Sequence, residues 1–194
     1  MVLVINPYKA IISQWNLKVN GSKVKIATAE SFKTLEFDDF VFQALLHWLE
    51  IIEDWISVGK DVYFVFYENI AEDPIAESRK LLAYLGLPVD EERLACLSKD
   101  ITGAFLRTSH HTSVPFTREH HAMVRMVIDR ADHVIREMNG RGLPRIKYEE
   151  YNIEIEQFHL KEIPAPQARY LILFQIGVEL ICHCKLTSEL LYEN

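Results

Sequence analysis

Val2-Leu3-Val4-Ile5-Asn6-Pro7-Tyr8 opens the chain with a continuous apolar, mostly β-branched run that stops at Asn-Pro. Such a run predicts a strand from Val2 to Ile5 buried on both faces, as in a parallel sheet, rather than an alternating edge strand. Asn6 is a good N-cap and Pro7 a good first helical residue, so a helix is expected to leave the strand at once. Ala10, Ile11 and Trp15 share one face of it as far as Leu17, and Asn20-Gly21 marks the turn beyond. The partner stretch is Val62-Tyr63-Phe64-Val65-Phe66-Tyr67, whose aromatic and β-branched content predicts a central strand over Asp61 to Tyr67. Between them, Phe40 to Ile56 sets Leu45, Trp48, Leu49, Ile52 and Trp55 at helical spacing, with Gly59 as the stop signal. A strong helix between two strands permits a right-handed crossover, so the strands are expected to be parallel members of one sheet.

Working outward, Asp73 caps and Pro74 starts a helix through Tyr84 that Gly86 and Pro88 end, and a shorter helix follows from Asp90. Thr117 to Met138 is helical again, with Val124, Val127, Ile128, Ala131, Val134, Ile135 and Met138 as the buried stripe and Asn139-Gly140 closing it. This order is that of an α/β protein: a three-layer parallel sheet with helices on both faces. Residues 153–194 hold one apolar run, Tyr170 to Leu173, that the pattern assigns to no element, so the chain divides into a domain at 1–152 and a tail at 153–194. No internal repeat is present.

The 194 residues, 49% apolar and 25% charged with seven glycines and seven prolines, suit one folded domain with a real core. A net charge of −7 and the lack of any basic run argue against nucleic acid as a partner. Cys96, Cys182 and Cys184 are too few and too unevenly spaced for a disulfide framework. The most apolar stretch, Tyr170 to Cys184, is too short to span a bilayer and includes Gln175 and Glu179, so no signal peptide or membrane segment is expected in this chain.

The turn at Ile5-Asn6-Pro7-Tyr8 sets backbone N–H groups and a positive dipole end at the carboxyl edge of a parallel strand, where anions bind in open α/β sheets. Ser13, about one and a half turns inside the helix, could reach a phosphate resting there. On the residues alone an ordinary structural turn is the favoured reading, since most helix N-termini bind only water. The polar loop from Lys99 to Phe116, with Gly103, Phe105, Arg107 and two histidines, is a second place where function can sit on a rigid scaffold. His110-His111 and His120-His121, with Glu119, suggest a metal site at first sight. Neighbouring histidines on a helix point about 100° apart, so they are read as solvated loop and helix-start residues and no metal is expected. Cys182-His183-Cys184 lacks a second ligand pair.

Val65-Phe66-Tyr67-Glu68-Asn69-Ile70, Asp73-Pro74 and Tyr84-Leu85-Gly86-Leu87-Pro88 together resemble the sulfotransferase family, which has a strand ending in Tyr-Glu-Asp-Leu, an Asp-Pro helix start and Phe-Leu-Gly at the helix end. Asn6-Pro7-Tyr8 with Ser13 is similar to the family's Arg-Asn-Pro turn and its phosphate-binding serine, and Gly103-Ala104-Phe105-Leu106-Arg107 resembles a segment of the branch with WSC-domain-containing sialate O-sulfotransferases. The resemblance covers Val2 to Asn139. It implies a P-loop NTPase-like sulfotransferase fold and transfer of a sulfuryl group from 3′-phosphoadenosine-5′-phosphosulfate (PAPS) to a hydroxyl of a carbohydrate or similar acceptor, in the Golgi lumen. Asn20-Gly21-Ser22, an N-glycosylation pattern as well as a turn, would suit that compartment.

By the same resemblance, Ser13 donates to the donor's 3′-phosphate, Tyr67 lies against the adenine and Arg107 supplies positive charge near the phosphates, roles that their side chains suit. A strand-end core tyrosine and a surface loop arginine are the alternatives for Tyr67 and Arg107. Ile5 stands where the family has its phosphate-binding arginine, and loss of that cation should weaken binding by about 1.5 to 3 kcal/mol. The family's upstream 5′-phosphosulfate loop, lysine and catalytic base have no counterpart, so no catalytic residue is assigned. The expectation is therefore the C-terminal half of a sulfotransferase domain, from a longer protein or a gene model that begins late. The rival expectation is a non-catalytic protein that keeps the nucleotide-binding half as a scaffold for binding or interaction.

Overall fold

The computed structural model describes residues 1–21, 26–59, 61–99, 115–145 and 147–148. Strand β1 (Val2–Val4) runs into helix α1 (Pro7–Asn20), and helix α2 (Leu35–Val58) leads to strand β2 (Phe64–Phe66). Helices α3 (Tyr67–Glu72), α4 (Pro74–Tyr84), α5 (Glu91–Leu97) and α6 (Arg118–Asn139) follow. The strands pair in parallel, Val2 with Phe64, Leu3 with Val65 and Val4 with Phe66. The described residues form an α/β fold, rich in helix around a small parallel sheet.

Local signals set most boundaries. The Asn6 side chain accepts the Tyr8 N–H at 2.9 Å and Pro7 follows it, while Gly21 ends α1 in the left-handed region at φ 60°. Asp73, Asp90 and Thr117 cap α4, α5 and α6 by accepting the N–H of Ala76, Arg93 and His120. Helix α2 begins at Leu35, five residues before its expected start, because Thr34 accepts the Phe37 N–H and Glu36 and Asp38 complement the dipole in the first turn. Gly59 follows α2 in an extended conformation, not a left-handed one. A Cβ there would collide with the Val62 side chain and lie 2.8 Å from the Trp55 carbonyl oxygen, so close approach explains the glycine.

The core lies between α2 and α6, where Phe37, Val41, Leu45, Leu49 and Ile52 meet the stripe of Met123, Val124, Val127, Ala131 and Ile135. Arg130 Nε donates to the buried Glu53 Oε1 at 2.8 Å across the same seam. Trp55 departs from the expected stripe: it is half exposed, in a last stretch of α2 where Ile51 and Val58 are exposed too. Two expectations for the strands also fail. Val2 and Val4 enter the core, but Leu3 points to the opposite face and is 59% exposed, so β1 is not covered on both sides among the described residues. Strand β2 ends at Phe66, and Tyr67 begins α3 instead of closing the strand.

The tail at 153–194, with Tyr170 to Leu173 and Cys182 to Cys184, lies outside the described residues, as does most of the expected polar loop with Gly103, Arg107, His110 and His111. Among the described residues no helix is long and apolar enough to cross a membrane.

Candidate functional site

Parallel pairing sets the two strand-to-helix turns side by side at the carboxyl edge of the sheet, the place in α/β proteins where loops converge on ligands. One is Ile5-Asn6-Pro7, leading into α1. The other is Phe66-Tyr67-Glu68, opening α3. Their junction is the Glu68 carboxylate, whose side chain is only 3% exposed. Its Oε1 accepts the Asn6 backbone N–H at 3.0 Å and lies 3.9 Å from Lys9 Nζ, which is 40% exposed. The donors at the α1 start are thus partly engaged within the chain: Asn6 N–H by Glu68, and Tyr8 N–H by Asn6 Oδ1.

Three further anchors hold the first turn. Trp48 Nε1 donates to the Ile5 carbonyl oxygen at 3.1 Å, fixing the end of β1 to α2. The Tyr8 hydroxyl meets His121 Nδ1 at 2.6 Å inside the core, with Phe116 edge-on to the tyrosine ring at 5.0 Å. Burial pushes the Tyr8 phenol well above the ordinary tyrosine range, opposed in part by the positive Arg125. The third anchor comes from beyond α6, where the Lys147 carbonyl accepts from Asn6 Nδ2 at 3.5 Å.

The expectation of solvated His120 and His121 is overturned, since both are buried. His120 Nδ1 accepts the Thr117 N–H at 3.2 Å and completes a capping box, while its Nε2 meets Asp38 Oδ1 at 3.2 Å. Phe37 and Phe116 pack edge-on against its ring. With both ring nitrogens of His120 engaged in this way, burial costs its imidazole little. Among the described residues no group of three or more His, Cys, Asp and Glu could hold a metal ion.

Of the expected site residues, Ser13 is exposed on α1 and Tyr67 is 42% exposed at the first position of α3, next to Glu68. Tyr67 is therefore not a strand-end core tyrosine. Arg107 lies outside the described residues. Ile5 is partly buried at the end of β1 and brings no charge to the turn. Asn20, in the glycosylation pattern, donates its Nδ2 to the Asn16 carbonyl at 3.1 Å. Sequence reasoning missed the roles of Glu68 and Lys147. Glu68 stands inside the Tyr67-Glu68-Asn69-Ile70 motif, so a signal existed, but its partner is 62 residues away.

Residues 1–136 match the sulfotransferase domain family, and the chain belongs to it. It is similar to WSCD family members of insects. One from Aedes aegypti is 29% identical over 111 residues, covering 55% of this chain and 35% of its own length. One from Drosophila pseudoobscura pseudoobscura is 29% identical over 129 residues, covering 64% and 40%. A third, from Drosophila melanogaster, is 26% identical over 129 residues, again covering 64% and 40%. The chain thus spans well under half the length of these curated relatives. No solved structure gives a significant match.

Proposed function

We propose that the chain carries the nucleotide-binding part of a PAPS-dependent sulfotransferase with a three-layer sheet, acting on a hydroxyl acceptor, most simply a carbohydrate, in the Golgi lumen. The observation that carries this reading is the Asn6–Glu68 hydrogen bond, which joins the two family-like turns into one edge within the family-matched residues. In this reading Ser13 and the α1 start receive the 3′-phosphate, the exposed face of Tyr67 takes the adenine, and Arg107 contributes charge. The reaction forms an oxygen–sulfur bond to the acceptor and breaks the one to the nucleotide, releasing adenosine 3′,5′-bisphosphate while a base takes the acceptor proton. Fixed cations and backbone donors would hold the charge on the transferring group.

Ile5 supports a second reading, a non-catalytic binding protein on the same scaffold, because a neutral side chain stands where a cation would meet the 3′-phosphate. Titration calorimetry with adenosine 3′,5′-bisphosphate tests the site. Weak binding is expected for the unaltered chain, with Ile5→Arg strengthening it by about tenfold or more, in line with a charged hydrogen bond of about 1.5 to 3 kcal/mol. If Ile5→Arg and Ser13→Ala both leave affinity unchanged, the phosphate site is misplaced. Transfer of labelled sulfate to a panel of glycans separates the enzyme reading from the binding one.

A further inference from the structure

Lys147 and Tyr148 lie beyond the family-matched residues 1–136, yet they touch both turns of the site. From Lys147, the carbonyl accepts from Asn6 Nδ2 at 3.5 Å in the first turn. Its Nζ reaches the second turn, donating to the Glu68 carbonyl at 3.4 Å, to Asn69 Oδ1 at 3.1 Å and to the Glu72 carboxylate. Tyr148 is almost wholly buried. Its hydroxyl lies near the Glu68 carboxylate without closing a hydrogen bond of normal geometry, and burial first, then the Glu68 charge, raises its titration above the tyrosine range. The return of the chain is itself anchored: Asp132 Oδ1 accepts the Leu143 N–H at 2.7 Å, and Arg145 pairs with Asp129.

We propose that Lys147 is a positioning residue for the nucleotide site, a clasp that fixes the spacing between the Asn6 turn and the Tyr67–Glu72 turn. The proposal rests on the nucleotide reading above. Its physical content is that a ligand spanning both turns needs them at one separation, and a single side chain bonded to three groups of α3, on a backbone bonded to Asn6, restricts that separation. A ligand that occupies one turn has no such need. The consequence is a penalty that grows with the reach of the ligand, which a merely stabilising lysine would not produce.

The test uses the full chain carrying Ile5→Arg, where affinity is expected to be measurable, and adds Lys147→Gln, Lys147→Arg or the milder Glu72→Gln. Calorimetry compares adenosine 3′,5′-bisphosphate, which spans the turns, with inorganic phosphate, which does not. Amide hydrogen exchange at Asn6 and at Tyr67 to Asn69 reads the turns directly. Lys147→Gln is expected to weaken the bisphosphate by about tenfold and phosphate by less than about twofold, as loosened positioning predicts. Lys147→Arg should recover most of the loss, Glu72→Gln should show a smaller loss, and exchange in both turns should quicken while that of α2 stays unchanged. Equal losses for both ligands, or unchanged bisphosphate affinity, overturn the clasp. Unchanged exchange with intact binding overturns it too. Quickened exchange in a chain that binds no bisphosphate even with Ile5→Arg overturns instead the nucleotide reading, and with it the role of Lys147 in that site.

Discussion

The Asn6 backbone N–H donates to Glu68 Oε1 at 3.0 Å, so a buried carboxylate from the first turn of α3 holds the turn at the end of β1. Glu68→Ala would strip the acceptor from a buried N–H and leave Lys9 without its partner. An expected loss of about 1.5 to 3 kcal/mol follows from breaking a charged hydrogen bond in the interior. Glu68→Gln keeps an acceptor for Asn6 and should lose less than half as much. Urea unfolding of the two variants checks the order, and equal losses would mean that the Asn6 bond is not what Glu68 supplies.

Tyr67 separates stability from binding. With 42% of its surface exposed at the first position of α3, Tyr67 is only partly packed, so Tyr67→Ala should cost about 1 kcal/mol of stability, well below the roughly 3 to 5 kcal/mol of a truncated core aromatic. Nucleotide affinity should fall by an amount typical of a lost stacking platform, about 1 to 3 kcal/mol, and Tyr67→Phe should retain most of it. Calorimetry with adenosine 3′,5′-bisphosphate beside thermal unfolding gives both readings. A large loss of stability with unchanged affinity would return Tyr67 to a structural role.

These two residues also show what could be read from the chain and what could not. Asn6-Pro7, Asp73-Pro74, Asp90 and Thr117 announce their helices because a cap and the N–H it accepts lie within three residues of each other. The α6 stripe is legible for a similar reason, since its periodicity is a property of one segment. The end of β2 is not: the local β-propensity of Phe66-Tyr67 favours a longer strand, and the helix at Tyr67 goes with the turn that sends Glu68 back to Asn6. Likewise His120 and His121 look like surface residues until Asp38 and Tyr8, from α2 and α1, close on them. Lys147 is the extreme case, its partners at Asn6 and Glu68 being 141 and 79 residues away.

The Tyr8–His121 contact links α1 to α6 through the core, where the pair meets at 2.6 Å. Tyr8→Phe keeps the ring against Phe116 but removes the hydroxyl from a buried imidazole, which should cost about 1 to 2 kcal/mol. A double-mutant cycle with His121→Gln isolates the pair, and a coupling of at least about 0.5 kcal/mol is expected for groups in contact. Additive losses would show that the two side chains act separately.

Acid stability should depend on Asp132, which joins α6 to the segment that carries Lys147. The carboxylate is buried, and burial alone would raise its titration. The bond from Arg136 Nε at 2.9 Å, the Leu143 N–H at 2.7 Å and the charges of Arg136 and Arg145 outweigh that, so the carboxyl is held below the usual aspartate range. The unfolded chain, with an ordinary aspartate near about 3.9, therefore takes up the proton first as pH falls. The stabilisation is complete above the unfolded value and is lost as pH drops through the folded one. Asp132→Asn keeps an acceptor for Leu143 but loses the charge, so it should be less stable at pH 7 by about 1.5 to 3 kcal/mol. The gap between the two proteins should then narrow below about pH 4. Urea unfolding from pH 7 down to the acid limit measures that gap directly. A difference independent of pH would show that Asp132 acts through its hydrogen bonds to neutral groups rather than through its charge.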